Sequence, residues 1–91
     1  MMKIITTRFE EVIVIEPDLF SDSRGFFLET FNADRYRSHG VDRVFVQDNM
    51  SLSVKNTIRG LHFQMTRPQA KLVQVIKGEI FDVAVDIRPK S

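Results

Sequence analysis

The sequence predicts an all-β fold built from antiparallel strands with one short helix. Most of the chain consists of short runs of β-branched and aromatic residues separated by turn residues, which is typical of antiparallel sheets. From Phe81 to Ile87, apolar residues alternate with Asp82, Ala84 and Asp86, so one face of that segment is expected to pack and the other to be polar. Lys77-Gly78 has the composition of a tight hairpin turn.

The elements follow from the same pattern. One helix is expected from Ala33 to His39, because Asn32 is a favoured N-cap residue and Gly40 a favoured residue just beyond a helix end. The expected strands are Ile4 to Thr7, Val12 to Glu16, Gly25 to Phe31, Val44 to Ser51, Thr57 to Gln64, Lys71 to Lys77 and Glu79 to Ile87.

Size and composition limit the possible functions. The 91 residues predict a single domain, 1–91, with a modest core. A formal charge of +1 argues against nucleic acid as a partner. There is no cysteine, which excludes disulfides and thiolate metal sites and fits a cytoplasmic location. No apolar run approaches the roughly 20 residues of a membrane helix, and charge comes too early for a signal peptide, so no membrane partner is expected.

The octet Thr57 to Gln64 places Arg59 and His62 on either side of Gly60-Leu61. A histidine moves protons near neutral pH, and the planar guanidinium of an arginine binds phosphate or carboxylate. The octet therefore predicts a site that binds an anion and moves a proton. On an ideal strand Arg59 and His62 would face opposite sides, so a bulge at Gly60 is needed to bring both into one pocket.

Polar side chains also mark the segment from Ser21 to Phe31, which leads from a turn into a strand. It presents Arg24 and Glu29 among aromatic residues. By strand alternation, Phe27 and Glu29 share one face. The segment is a candidate binding surface.

Two further segments carry candidate side chains. Gln47 and Asn49 point the same way on a strand, where their amides could read the hydrogen-bonding edge of a nucleobase. Lys71 lies at the start of a strand. No metal or other cofactor is expected, because there is no His-x-His pair and the two histidines lie in unlike segments.

Together these segments resemble the dTDP-4-dehydrorhamnose 3,5-epimerases, the RmlC-type enzymes of the cupin superfamily. The resemblance covers essentially the whole chain and the first half of a family member. It implies a cupin-like jelly roll, partial in this chain, that acts as a homodimer, with strand exchange as one way to complete the fold. The matching motifs are Asp22 to Glu29, Phe45 to Asn49, Ile58 to Gln64, Gln69 to Val73 and Gly78 to Arg88.

The resemblance implies a dTDP-sugar substrate and metal-free epimerisation of the carbons beside the ketone of dTDP-4-keto-6-deoxyglucose. His62 matches the base and Lys71 the residue that stabilises the enolate oxygen, while Arg59 matches the diphosphate contact. The implied nucleotide contacts are Gln47 and Asn49, together with Arg24 and Glu29 from the partner subunit; Phe27 is the aromatic candidate for substrate contact.

The acid that completes the reaction is, in the family, a tyrosine in the second half. A further histidine and the aspartate that pairs with the base are expected there too. Two functional hypotheses follow for this chain: an epimerase, and a non-catalytic dimer that binds the sugar nucleotide without completing the chemistry.

Each candidate also has a purely structural interpretation. His62 is explained as a hydrogen-bonded strand residue and Lys71 as an edge-strand charge. Arg24 and Glu29 would form a surface ion pair that contributes about 0 to 1 kcal/mol, and the two amides would be ordinary polar residues near a turn. The aromatic spacing favours the core for Phe26, Phe27, Phe31 and Phe45.

Overall fold

A computed structural model describes residues 2–89. Its strands form two separate antiparallel hairpins, and a single helix follows them. Antiparallel strands with one short helix are the elements that the sequence predicts. In chain order they are β1 (Lys3–Thr6), β2 (Ile13–Glu16), β3 (Leu19–Asp22), β4 (Gly25–Leu28) and α1 (Ala33–Ser38).

The first hairpin is formed by β1 and β2, which differ from their predicted bounds by one residue at the ends. Its register places Ile4 opposite Ile15 and Thr6 opposite Ile13. The three isoleucines therefore share one face, and all three are half-buried. β-Branched side chains pack well on such a pleated surface, which explains why this pairing forms.

The second hairpin joins β3 and β4 through a tight turn at Ser23 and Arg24. The Asp22 carboxylate accepts a hydrogen bond from the Arg24 backbone N–H at 2.8 Å, and Gly25 has a φ of +138°, which favours glycine. The sequence analysis missed β3, and β4 ends at Leu28 instead of Phe31.

The aromatic residues of this hairpin are not in a core. Phe26 and Phe27 are 70% and 71% exposed, so their predicted core placement is wrong. A two-stranded ribbon has two faces, and among residues 2–89 no further layer covers either face of this one.

The helix begins at Ala33, as predicted, and ends at Ser38, one residue before the predicted end. Asn32 is the N-cap, and its side chain accepts a hydrogen bond from the Arg35 backbone N–H at 3.0 Å. His39 is the C-cap, and Gly40 follows with a φ of +94°. Nowhere in residues 2–89 is a helix long and apolar enough to cross a membrane.

Tyr36 anchors the helix. It is 4% exposed, and its hydroxyl donates a hydrogen bond to the Thr30 carbonyl at 2.7 Å. The Phe31 ring meets it edge-on at 4.8 Å, and Phe45 meets Phe31 at 5.7 Å. Phe31 and Phe45 thus belong to the small aromatic cluster around Tyr36, although Phe31 is still 41% exposed.

The segment 44–87 differs most from the sequence prediction. The four strands predicted from Val44 to Ser51, Thr57 to Gln64, Lys71 to Lys77 and Glu79 to Ile87 are wrong, and so is the hairpin at Lys77-Gly78, because residues 44–87 form no strand.

Its apolar side chains show the reason. Ile58 is 92% exposed and Phe81 is 94% exposed, so the packed face predicted for the last segment is wrong as well. A strand requires a partner, and β-propensity does not supply one. The radius of gyration of 15.4 Å exceeds the roughly 12 Å of a compact chain of this length.

One ion-pair cluster joins the end of the chain to its beginning. The Arg88 guanidinium contacts Asp86 at 2.7 Å and also binds the Glu11 carboxylate in the loop between β1 and β2. Residues 84–88 therefore lie against residues 9–12.

Tyr36 gives a test of the buried cluster. Burial, assisted by the negative charge of Glu29, raises the pKa of its phenol above the ordinary value of about 10. As pH rises, Tyr36 loses its proton in the unfolded chain before it does so in the folded protein. The stability that this group contributes is therefore fully present below about pH 10 and falls as the pH rises toward the higher folded pKa. Tyr36 is the single tyrosine, so absorbance of phenolate reports on it alone.

The matched control is Tyr36→Phe. It should lower the free energy of unfolding by about 0.5 to 1.5 kcal/mol at neutral pH, since the hydrogen bond to Thr30 is lost. It should also remove the tyrosine part of the alkaline loss of stability in urea unfolding. A phenol that titrates at or below pH 10 would contradict the buried placement.

Candidate functional site

The predicted site residues fall into two groups that differ in their surroundings. Arg24, Phe27 and Glu29 lie in or beside the β3–β4 hairpin. The others lie in the segment that forms no strand, and they are Gln47, Asn49, Arg59, His62 and Lys71.

Arg24 is held at the tip of the hairpin by Asp22. Its guanidinium nitrogens Nη2 and Nε lie 2.6 and 3.2 Å from Asp22 Oδ2. The hydrogen bonds from Arg24 lower the pKa of the Asp22 carboxyl. The Arg24 side chain is nevertheless 88% exposed, so it can also meet an anionic ligand.

Arg24 and Phe27 line the same surface depression, whose other lining residues include Phe20 and Phe26. Phe27 lies directly opposite Phe20 across the hairpin. An aromatic face stacks on a flat ring, and a guanidinium binds phosphate. This depression therefore offers aromatic rings and a guanidinium to a nucleotide, although the Asp22 carboxylate, which holds that guanidinium, lines it as well.

Glu29 pairs with Arg35 of α1 and not with Arg24. The Arg35 Nε and Nη2 atoms lie 2.9 and 3.0 Å from the two carboxylate oxygens. The structural alternative of an ion pair between Arg24 and Glu29 is therefore wrong, since each residue has another partner. The hydrogen bonds from Arg35 lower the pKa of Glu29.

The sequence did not predict Asp22 as the partner of Arg24, or Arg35 as the partner of Glu29. Asp22 had a recognisable signal, because an aspartate that begins a turn commonly accepts from the N–H two residues later. Arg35 had none, since six residues and a change of secondary structure separate it from Glu29.

Gln47 and Asn49 lie together. The Gln47 Nε2 and Asn49 Oδ1 atoms are 3.5 Å apart, at the long limit of a hydrogen bond. Both side chains are exposed. Their contact orients two amides that retain further donors and acceptors.

The octet around Gly60 is not an undistorted strand. Gly60 has a φ of +109°, a conformation that favours glycine. Strand alternation therefore does not decide which way Arg59 and His62 face. Arg59 Nε donates to Ser53 Oγ at 2.8 Å, and within residues 2–89 no hydrogen bond links Arg59 to His62.

His62 and Lys71 are both exposed. Over the described part of the chain, neither side chain has a hydrogen bond or an ion pair with another residue. A general base acts on a proton within hydrogen-bond reach, and an ammonium group stabilises a nearby oxyanion. Both side chains are exposed to a substrate, and within residues 2–89 no hydrogen bond or ion pair orients them. Among residues 2–89 no group of three or more metal-binding side chains is positioned to hold an ion.

The Asp22 and Arg24 contact can be tested by titration. The carboxyl of Asp22 should lose its proton below the ordinary pKa of about 3.9, because Arg24 stabilises its charged form. The stability that this contact contributes is fully present when the pH is above the ordinary aspartate pKa. It disappears as the pH falls through the lower pKa that Asp22 has in the folded protein. Carbon-detected NMR of the carboxyl groups measures it.

The paired variant for this titration is Arg24→Gln. It should move the Asp22 pKa upward, whereas Arg37→Gln, on α1, should leave it in place. An Asp22 pKa that ignores the Arg24 substitution would show that the guanidinium does not bind this carboxylate in solution.

The chain is similar to known proteins over most of its length. The family model described as dTDP-4-dehydrorhamnose 3,5-epimerase matches residues 6–91. A protein of that name from Methanothermobacter thermautotrophicus is 53% identical over 89 residues, which are 98% of this chain and 48% of that protein. Another from Escherichia coli is 51% identical over 92 residues, 99% of this chain and 50% of that protein. The chain thus spans about half the length of these relatives.

A solved structure is also similar. It is the crystal structure of dTDP-6-deoxy-D-glucose-3,5-epimerase RmlC from Legionella pneumophila in complex with dTDP-4-keto-L-rhamnose. It is 48% identical, with a TM-score of 0.51, and the likeness covers 54% of this chain and 27% of that one. The cupin-type fold of that enzyme confirms the predicted fold class. The chain belongs to the dTDP-4-dehydrorhamnose 3,5-epimerase family.

Proposed function

We propose that this chain carries the nucleotide-binding and proton-abstracting residues of an enzyme that converts dTDP-4-keto-6-deoxyglucose to dTDP-4-keto-L-rhamnose. The observation that carries the proposal is the family match over residues 6–91, a range that contains every candidate residue from Arg24 to Lys71. In this proposal the substrate is a dTDP-sugar, and the reaction uses neither a metal nor an organic cofactor.

Chemistry begins at a carbon beside the ketone. His62 removes the proton from that carbon, the C–H electron pair moves into the adjacent bond, and the ketone oxygen becomes an enolate oxygen. The Lys71 ammonium stabilises the negative charge on that oxygen. Proton transfer by a positioned base contributes about 10² to 10⁴-fold to such a step.

Inversion requires a second proton donor on the opposite face of the sugar. If His62 returns its proton, the starting configuration is restored. Proton abstraction and inversion can therefore be measured separately, by isotope exchange with solvent and by product configuration.

Nucleotide binding is assigned to the remaining candidates. Arg59 meets the diphosphate, because a guanidinium matches phosphate oxygens in geometry and charge. Phe27 stacks on a flat ring of the ligand beside Arg24, which lines the same depression. The other polar contacts are assigned to Gln47, Asn49 and Glu29.

A second candidate function is a dimer that binds the sugar nucleotide without turnover. It is favoured by the contrast between the two groups of residues. Arg24 and Phe27 lie in a formed hairpin, and Glu29 is held by Arg35, whereas His62 and Lys71 lie outside any strand. Nucleotide binding would occur in both cases, so only the chemistry separates them.

Deuterium incorporation tests the catalytic role. In deuterated water, the keto-sugar nucleotide should gain mass with the wild-type chain, because each abstracted proton is replaced by deuterium from solvent. His62→Asn should slow this gain by about 10² to 10⁴-fold, and Lys71→Met by about 10² to 10³-fold. Mass spectrometry of the sugar nucleotide measures the rate.

The matched control is His39→Gln, since His39 is the other histidine and no proton transfer is assigned to its side chain. Its exchange rate should equal that of the wild type. A wild-type chain that binds dTDP without any deuterium gain would replace the epimerase proposal by the binding dimer. Equal rates for wild type and His62→Asn would contradict His62 as the base.

We also propose that the protein acts as a homodimer in which Arg24 and Glu29 reach the partner's nucleotide. Support comes from apolar side chains that no described residue covers and from two ribbons whose outer edges pair with no other strand among residues 2–89. Exchange of a strand between subunits would pair these edges.

Sedimentation equilibrium tests the dimer. The mass at micromolar concentration should be twice the 10.6 kDa of the chain. Mixing Arg24→Gln subunits with His62→Asn subunits should restore part of the exchange activity if Arg24 acts across the interface. A monomer that exchanges deuterium at full rate would contradict the dimer.

We further propose a cytoplasmic location, which the absence of cysteine favours. Recovery of the native protein from an oxidising compartment in cell fractionation would overturn it.

A further inference from the structure

We infer that Arg35, on α1, is a positioning residue that fixes the Glu29 carboxylate for contact with the nucleotide. This inference rests on the proposed binding role of Glu29. Neither the site motifs nor the comparisons assign a role to Arg35.

The contact is bidentate. Arg35 Nε lies 2.9 Å from one Glu29 oxygen and Nη2 lies 3.0 Å from the other. This fork fixes the plane of the carboxylate as well as its place. A carboxylate has about four acceptor positions, so two remain for a hydroxyl or an imide N–H of a bound nucleotide.

Glu29 needs such support because β4 ends at Leu28 and the carboxylate lies beyond the last strand pair. Arg35 is itself on an anchored element. Its backbone N–H is held by the Asn32 cap, and the neighbouring Tyr36 is buried against Thr30. The helix therefore provides a fixed base from which Arg35 reaches back to Glu29.

Stability alone does not explain the pair. The two side chains are 62% and 40% exposed, and an ion pair in that setting stabilises little. Arg37 shows the contrast on the same helix, since it contacts Asp34 at 3.2 Å and Asp42 at 3.6 Å, outside the candidate site. Arg37 is therefore a matched control for loss of an exposed helix ion pair.

Three variants test the role of Arg35: Arg35→Met removes every donor, Arg35→Lys keeps the charge and loses the planar fork, and Arg37→Met is the control. Two measurements are made on each folded protein: carboxyl titration of Glu29 by NMR, and dTDP affinity by calorimetry. Arg35 lowers the Glu29 pKa through its hydrogen bonds and its charge while burial opposes it, so Arg35 should dominate the titration; Glu29 in turn acts on the Tyr36 phenol.

With Arg35→Met, the Glu29 pKa should rise toward its ordinary value and the dTDP dissociation constant should increase about threefold to tenfold. Arg35→Lys should keep the part of the pKa effect that comes from charge, which is smaller than the part from the hydrogen bonds, and should still weaken dTDP binding, because a point charge does not fix the carboxylate plane. Arg37→Met should change neither. If Arg35→Met does not fold, Arg35→Lys is compared with the wild type and with Arg37→Met in both measurements.

Each contrary result has a distinct meaning. An unchanged Glu29 pKa in both Arg35 variants overturns the inference and leaves the proposed function intact. A raised pKa with unchanged dTDP affinity overturns it too, because the pair is then a surface ion pair only. A wild-type chain that does not bind dTDP defeats the proposed function, and the inference falls with it.

Discussion

Pairing between strands is the constraint on which the rest of this structure depends. Two pairs of neighbouring segments form hairpins, β1 with β2 and β3 with β4, each across a short connection, whereas the segments on either side of Lys77-Gly78 do not pair. From Val44 to Ile87 the chain is rich in residues that favour strands, yet it forms none. Because an extended backbone gains its hydrogen bonds only from a neighbour, composition cannot hold that segment in place.

This contrast divides the candidate site. Arg24 is fixed by Asp22 at the tip of a hairpin, and Glu29 is fixed by Arg35 on a helix that Tyr36 anchors. His62 and Lys71 have no comparable support among residues 2–89. Arg24 and Glu29, which we propose contact the nucleotide, are thus held by local contacts, whereas His62 and Lys71, proposed for proton transfer, depend on pairing of the segment that carries them. A base and an oxyanion donor must be held within about 0.5 Å of their working positions, so this pairing should govern activity.

The parts that the sequence predicted well are those with local causes. Asn32 caps helix α1 by accepting from the Arg35 N–H three positions later, and Gly40 follows directly after the C-cap residue His39. Both features were visible in the sequence. Gln47 and Asn49 do lie together, but the strand on which they were predicted to point the same way does not form. β3 was missed because Leu19-Phe20 is a very short apolar run that is followed at once by Ser21 and Asp22. Long-range pairs such as Arg88 with Glu11 have no signal in spacing, since 77 positions separate them.

Amide hydrogen exchange of the 91-residue chain tests most directly the claim that local pairing holds one group of site residues and not the other. Slow exchange should be confined to paired amides of the two hairpins and to the amides bonded around α1, such as that of Val41, which donates to the Tyr36 carbonyl at 2.8 Å. Amides of Thr57 to Gln64 and of Lys71 to Lys77 should exchange near the rate of an unstructured chain. Protection in those two segments equal to that of β1 and β2 would contradict the account.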